Sequence, residues 1–291
     1  MSPRVTAVIA TFNRSDLLPY TIGSVLRQSY TDFEVLVVGD GCTDDSPEVV
    51  ASIGDARVRW INLRANSGHQ SAPNNEGIRQ ARGEIIAYLG HDDLWLPHHL
   101  QVHVAALDAK GADFATSICI LVAPDGAFWP FIPTAANGWF SVPSSLTHRR
   151  SVVDDLGDWK DYRTLAGSRD WAPEIEFYRR AQARKTYTFV RRLTTVKFPA
   201  SWRRDIYRKR SAHQQEEWFE RIDREPDLEA IACAASLTGD HLLNGMPYRH
   251  LLGLFAEQTA TRIRRRFWIA MSALMNPRTR ALDRIRRFKG L

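Results

Sequence analysis

The chain has only three cysteines, Cys42, Cys119 and Cys233, far apart and without a CxxC pair. Their number and spacing exclude a disulfide framework and a cysteine-based metal site, and fit a reducing compartment. Long apolar runs are missing too: none approaches the roughly 18–20 residues of a membrane-spanning helix. The run Val5 to Ala10 is too short for a secretory signal and Asn13-Arg14 follows at once. A cytoplasmic protein is expected, either free or peripheral at the inner face of the cell membrane. Internal repeats and low-complexity segments are absent. With 44% hydrophobic and 25% charged residues over 291 positions, the chain has the composition of a soluble globular protein. Its length allows one large α/β domain with an appendage.

Charge is unevenly placed. Residues 251–291 carry ten basic side chains (Arg262, Arg264, Arg265, Arg266, Arg278, Arg280, Arg284, Arg286, Arg287 and Lys289) against Glu257 and Asp283, a net +8 within a chain of net +6. The body is therefore slightly acidic, which disfavours a nucleic-acid-binding fold. Over 262–289 the arginines alternate with Ile263, Phe267, Trp268, Ile269, Leu274, Ile285 and Phe288. That is the make-up of a basic amphipathic helix on an anionic membrane. Packing of its apolar side against the body, or in a homodimer, is the competing reading.

Val5 to Ala10 and Phe33 to Val38 read as short buried strands, as do Val58 to Leu63 and Ile85 to Leu89. Helical spacing appears between them, at Leu17 to Leu26, Ser46 to Ser52 and Ser71 to Ala81. The alternation predicts an open, mainly parallel α/β sheet with helices on both faces. Right-handed crossovers then bring Thr11, Asp40, Asn66 and Asp92 to one rim, where such sheets bind ligands. Beyond residue 110 the pattern loosens. Phe114 to Val122, Thr186 to Val190 and Leu193 to Phe198 are strand candidates, Phe128 to Pro133 reads as irregular, and Trp171 to Ala181 reads as a helix. From about Asp227 the chain reads as helical.

The fourth strand empties into Gly90-His91-Asp92-Asp93. Adjacent carboxylates beyond a strand end suit a divalent cation and a phosphorylated ligand. They equally suit a turn that caps a helix starting near Pro97. His98, His99 and His103 include an i, i+4 pair that can bind a metal, but without a third ligand a solvated helix face is the expectation. Gly39-Asp40-Gly41 marks a tight turn where backbone approaches a ligand.

Taken in order, Val-Ile-Ala-Thr-Phe-Asn-Arg, Val-Val-Gly-Asp-Gly-Cys-Thr-Asp-Asp, Asn-Ser-Gly, Asn-Asn-Glu-Gly-Ile, Arg-Gly-Glu-Ile-Ile-Ala-Tyr-Leu and Asp-Asp-Leu-Trp-Leu-Pro span residues 5–100. The set resembles family 2 glycosyltransferases of the GT-A fold. The resemblance implies a GT-A domain over 1–225, its nucleotide-sugar half at 1–110 and its acceptor half at 111–225, followed by a C-terminal helical region at 226–291. It implies that Thr11, Phe12, Arg14, Asp40, Asn66, Gly68, Asn74, His91 and Asp92 meet a nucleotide-sugar. It also implies that Asp92 holds Mg²⁺ or Mn²⁺. The chain departs from the pattern where Gly39 and Gly90 stand in place of carboxylates and Asn74 in place of an arginine.

The family's general base lies in a Glu-Asp-Trp-like motif, which Ser168-Arg169-Asp170-Trp171 resembles, with Arg169 replacing the glutamate. Asp170 is therefore the candidate base. The competing role is an N-cap, and Asp155, Asp158 and Asp161 are rivals. Trp95 and Trp171, with Trp129 and Trp139, are candidates for stacking on an acceptor sugar, against the commoner role of core packing. The implied reaction is inverting transfer from a nucleotide-diphosphate-sugar to a glycan or lipid-linked acceptor. A catalytically silent nucleotide-sugar-binding relative is the alternative. A sugar-nucleotidyltransferase is disfavoured because Thr11 to Asp16 contains no glycine for a phosphate loop.

Overall fold

Strand β1 (Val5–Thr11) has all seven residues buried, so it needs apolar cover on both faces. Its neighbours β2 (Phe33–Gly39) and β4 (Ile85–Gly90) pair with it in parallel on either side, and β3 (Val58–Asn62) extends the sheet beyond β2. The alternation along each strand settles which face each residue covers. Val5, Ala7, Ile9, Val35, Val37, Ala87 and Leu89 share one cluster with α1 (Leu18–Leu26) and α4 (His99–Lys110). Val8, Leu36, Val38, Ile86 and Tyr88 share the other with α3 (Ser71–Gln80), α5 (Ser151–Leu156) and α6 (Pro173–Arg184). The short helix α2 (Ser46–Ser52) adds Val50 to the first cluster. The computed structural model describes residues 2–133, 141–165, 172–203, 211–225 and 228–229.

Past β4 the pairing changes character. Strand β8 (Leu146–Arg149) lies antiparallel to β4, and β6 (Phe114–Val122) antiparallel to β8. Next to β6 come β9 (Tyr187–Lys197), parallel to it, and the two-residue β5 (Leu94–Trp95), antiparallel to β9. Strand β7 (Phe128–Phe131) pairs with the outer end of β6. Among the described residues the order is β3-β2-β1-β4-β8-β6-β9-β5. The parallel alternation thus holds for the first half, and the second half is mostly antiparallel. A third cluster, with Leu94, Ile120, Val122, Val196 and Phe198, is closed by Trp218 of α7 (His213–Arg224).

Several expectations need correction. Phe128 to Pro133, read as irregular, contributes β7. Its Pro130 is tolerated because only one side of that strand is paired. The two late strand candidates are one strand: the register against β6 slips between Val190 and Leu193, and exposed Arg191 and Arg192 bulge out. The expected solvated face of His99 and His103 is buried instead. Both are 0% exposed, and they stack in series on Trp95, with ring centroids 4.1 and 4.2 Å apart. Only His98 keeps some solvent contact, with Nε2 donating to the Leu193 carbonyl. The elements β5, β8 and α5 are too short to carry a local pattern, and the amphipathic helix α7 is not among the expected elements. Of the helix expected from 227 only residues 228–229 are described, and they are helical; the basic tail at 262–289 lies outside the described residues.

The buried imidazoles make the fold acid-labile. His148 donates from Nδ1 to the Arg149 carbonyl, so its Nε2 accepts from the Tyr88 hydroxyl at 2.7 Å. This is a neutral tautomer. Burial pushes His148 down to about 4 and His103 to about 3, and holds His99 well below its ordinary range. Groups neutral when folded and protonated when unfolded leave stability complete above about pH 6.5 and lost as pH falls toward the folded values. Each contributes about 1.4 kcal/mol per pH unit. The urea midpoint should fall steeply from pH 7.5 to 5, and His103→Leu should flatten that slope; a level midpoint would contradict the assignment.

Candidate functional site

The rim is built where the four parallel strands end together: Thr11 is paired with Gly39, Gly39 with Asn62, and Ala10 with Gly90. Side chains then fasten loop to loop. Asn13, in the left-handed region at φ 49°, accepts the Thr43 and Asp44 amides on its Oδ1. Asn62 grips Cys42 by two hydrogen bonds of 2.9 Å, one to its amide and one to its carbonyl. Asp40, 4% exposed, accepts from the Ser67 amide and hydroxyl and from the Gly68 amide. Its carboxylate therefore anchors the third loop. Asn66 accepts the Gly68 amide from within that loop. Asn74 is buried in the first turn of α3, and Phe12 is half-buried at the end of β1.

The missing carboxylates have a steric reason. A Cβ on Gly39 would fall 2.5 Å from Asn62 Oδ1 and 2.7 Å from the Trp60 ring. A Cβ on Gly90 would fall 2.8 Å from Asp93 Oδ2 and 3.0 Å from Asp92 Oδ1. No carboxylate fits at either position while these neighbours stay where they are.

The adjacent aspartates do different work. Asp93, 0% exposed, accepts the Phe198 amide on Oδ1 at 3.0 Å. Its Oδ2 takes the Lys197 ammonium at 2.8 Å and the Ser144 hydroxyl. Burial and the charge of Asp92 push Asp93 upward, against the pull of Lys197. The side-chain oxygens of Asp92, a residue 5% exposed, accept no hydrogen bond from any other described residue, and only its backbone carbonyl takes Gln215 Nε2, at 3.4 Å. Burial works against its charge, but Lys197, His91 and Arg14 outweigh burial and hold it below its ordinary range. Lys197 Nζ lies 4.0 Å from Asp92 Oδ1. His91 is neutral, pushed to about 4 chiefly by burial, and donates from Nδ1 to the Ala10 carbonyl at 3.3 Å.

Arg14 is 1% exposed and doubly bonded to Asp16 at 2.9 and 3.1 Å. Its Nη1 is buried without a hydrogen-bond partner among the described residues, as is Thr11 Oγ1. Both orphans belong to residues expected to meet a ligand. Trp95 is a core residue and not a stacking surface: it is 1% exposed and donates from Nε1 to the Ser144 carbonyl. Trp129 is half-buried and stacks on Trp202. Asp170, Trp171 and Trp139 lie outside the described residues.

No group of three or more His, Cys, Asp or Glu side chains that can hold a metal occurs among the described residues. Asp92 nonetheless fits a divalent cation of one kind. It is ionised and unspent, so it suits an ion that takes its other ligands from phosphate oxygens and water. A closed protein cage is not available, because Asp93 is wholly buried and already holds Lys197, Ser144 and Phe198, and position 90 has no side chain.

Sequence reasoning missed Ser144, Asn62, Asn75 and Lys197. Asn75 clamps Trp159 through both its amide and its carbonyl, at 3.0 and 2.8 Å. A polar residue closing an apolar strand signals Asn62. Lys197 and Ser144 reach the rim from the second half of the sheet and leave no local signal.

An open sheet of this order with its polar rim is the GT-A architecture. S. aureus TarS 1–349 has a similar fold, with a TM-score of 0.56 at 19% identity over 68% of this chain and 61% of that one. The structure of TarS 1–349 in complex with UDP-GlcNAc aligns with the same score at 17% identity, over 67% and 58%. Residues 6–158 match the model of glycosyl transferase family 2, and the chain belongs to that family. The succinoglycan biosynthesis protein ExoO of Rhizobium meliloti is 41% identical over 43% of this chain and 35% of its own length. The putative teichuronic acid biosynthesis glycosyltransferase TuaG of Bacillus subtilis is 28% identical over 53% and 59%. The chain thus spans between about a third and about three fifths of the length of these relatives.

Two carboxylates with two jobs should separate on mutation. Asp93→Ala removes the buried carboxylate that holds the Lys197 ammonium, the Ser144 hydroxyl and the Phe198 amide, and should cost about 3 kcal/mol in urea denaturation. Asp92→Ala should cost less than about 1 kcal/mol, because it breaks no side-chain hydrogen bond and relieves repulsion with Asp93. Equal losses would end the distinction.

Proposed function

We propose that the chain is an inverting glycosyltransferase that moves a sugar from a nucleotide-diphosphate-sugar to an acceptor hydroxyl in polysaccharide biosynthesis. The observation that carries the reading is Asp92: an ionised, unspent carboxylate at the strand edge, beside cations and beneath the loops that Asp40 and Asn62 hold. The family supports the reaction class. The relatives named for succinoglycan and teichuronic acid biosynthesis, and the TarS structures with UDP-GlcNAc and UDP, support the donor and the setting.

In this reading the loop of Thr11, Phe12 and Arg14 receives the nucleotide, and the two buried orphan groups gain their missing partners. Mg²⁺ or Mn²⁺, held by Asp92, would neutralise charge developing on the leaving diphosphate. Asp170 would take the proton from the acceptor hydroxyl as that oxygen attacks the anomeric carbon from the face opposite the diphosphate. A single displacement inverts the configuration.

With MnCl₂ and a panel of nucleotide-sugars, product formation should fall at least about 100-fold in Asp170→Asn, as for removal of a general base. Asp92→Ala should fall comparably while melting like the wild type. If Asp170→Asn keeps more than about a tenth of the turnover, the base lies elsewhere. If no sugar is transferred but nucleotide-sugars still bind, the catalytically silent alternative stands.

No helix among the described residues is long and apolar enough to cross a membrane. We propose contact with an anionic membrane surface through 262–289. Vesicles rich in phosphatidylglycerol should pellet the full chain, and replacing Arg262, Arg264, Arg265 and Arg266 by glutamate should abolish pelleting. Equal pelleting would remove the membrane role.

A further inference from the structure

One cation of the rim has a structural partner and spare capacity together. Lys197 closes β9, and among the described residues its one hydrogen bond goes to Asp93 Oδ2 at 2.8 Å. An ammonium has three N–H donors. Asp92 Oδ1, at 4.0 Å, is beyond hydrogen-bond range. Among the described residues two donors are therefore unspent and can serve a ligand without giving up Asp93. The Lys197 side chain is 21% exposed, whereas Asp93 beneath it is 0% exposed. The ammonium is thus anchored from inside and open to solvent outside. We infer that Lys197 is a diphosphate-binding residue of the donor site, clamped by Asp93 so that its remaining N–H groups face the phosphates beside Asp92.

The surroundings agree. Arg14, Lys197 and Arg203 all act electrostatically on Asp92. Arg14 is offset by Asp16 and Lys197 by Asp93, so the rim holds no large positive surplus. A diphosphate is then recognised by directed donors, and Lys197 has donors to give. Arg203 is more committed, donating to the Pro199 and Val122 carbonyls and to Gln214. The position that would carry another carboxylate, Gly90, is closed by Asp92 and Asp93. Less charge is therefore available to recruit a divalent ion, and more of the phosphate recognition falls to side-chain cations.

This inference rests on the nucleotide-sugar reading, and the test separates the two. Calorimetric titration with UDP, GDP, dTDP and CDP, in MnCl₂ and again in EDTA, is run on the wild type, Lys197→Met, Asp93→Asn and the double variant. The double variant removes both charges together, so it keeps the test valid if Lys197→Met alone does not fold. Losing a charge-assisted hydrogen bond should weaken the preferred nucleotide about tenfold or more. That loss is expected in the Asp93 background and again between Asp93→Asn and the double variant. If Lys197 only shields Asp93, the second loss disappears, and the inference is overturned while nucleotide binding by the wild type keeps the donor reading intact. If no nucleoside diphosphate binds the wild type in either buffer, the donor reading fails and takes Lys197's role with it.

Discussion

The rim of this protein depends on one buried carboxylate, Asp93. It lies at the turn between β4 and β5, with its amide returned to the Gly90 carbonyl. From there it gathers Ser144, which precedes β8, together with Lys197 and Phe198 at the end of β9. Those segments belong to the antiparallel half of the sheet, whereas β4 belongs to the parallel half. Asp93 is thus a three-way tie across the seam where the strand pairing changes. A buried ion pair adds little net stability against an apolar replacement, yet removing one partner is costly. Its value lies in register: it dictates where the loop after β4 stands relative to β9.

Once Asp93 is occupied, Asp92 is left to do something else. The two carboxylates are adjacent in sequence and alike in burial, and they differ in partners. The Asp93 carboxylate accepts three hydrogen bonds, and the Asp92 carboxylate accepts none from another described residue. The same crowding explains Gly90, since any side chain there would collide with both. Gly39 is a parallel case on the neighbouring strand, where Trp60 and Asn62 occupy the space of the absent side chain. At Gly39 and Gly90 the gaps in the family pattern are thus crowded volumes.

The parallel half was legible in the sequence because β1, β2 and β4 are buried on both faces and each helix between has its own period. Val5–Thr11, Phe33–Gly39 and Ile85–Gly90 are largely apolar runs, interrupted only by Thr6 and Glu34, and the polar residues that follow them had to share an edge. The antiparallel half was not legible. β8 is four residues and β5 two, so pairing partners, not local pattern, decide them. The bulge at Arg191 and Arg192 cut one strand into two apparent ones. His99 and His103 look like a polar helix face, and only the tertiary packing of α4 against β9 buries them, with His99 bonded to Thr194 at 2.7 Å. Of the site, residues carried on the parallel strands could be placed from sequence. Ser144 and Lys197, contributed by distant segments, could not.

Asp40 illustrates how the same chemistry serves assembly and recognition. The resemblance placed it against a nucleotide, and its position on the rim is the expected one. Yet its oxygens already accept from Ser67 and Gly68, which hold the third loop beside the second. A carboxylate oxygen has more than one lone pair, so this anchoring does not consume the group. It does fix its direction, because the loop bonds must survive when anything else binds. Lys197 follows the same logic with the sign reversed: anchored to Asp93 by one N–H, it keeps the others oriented at the rim. Preorganisation of this kind spares a ligand the entropy of ordering the groups that receive it. In this rim the ordering is done by pairs of residues far apart in sequence, so the site forms only when both halves of the sheet have folded.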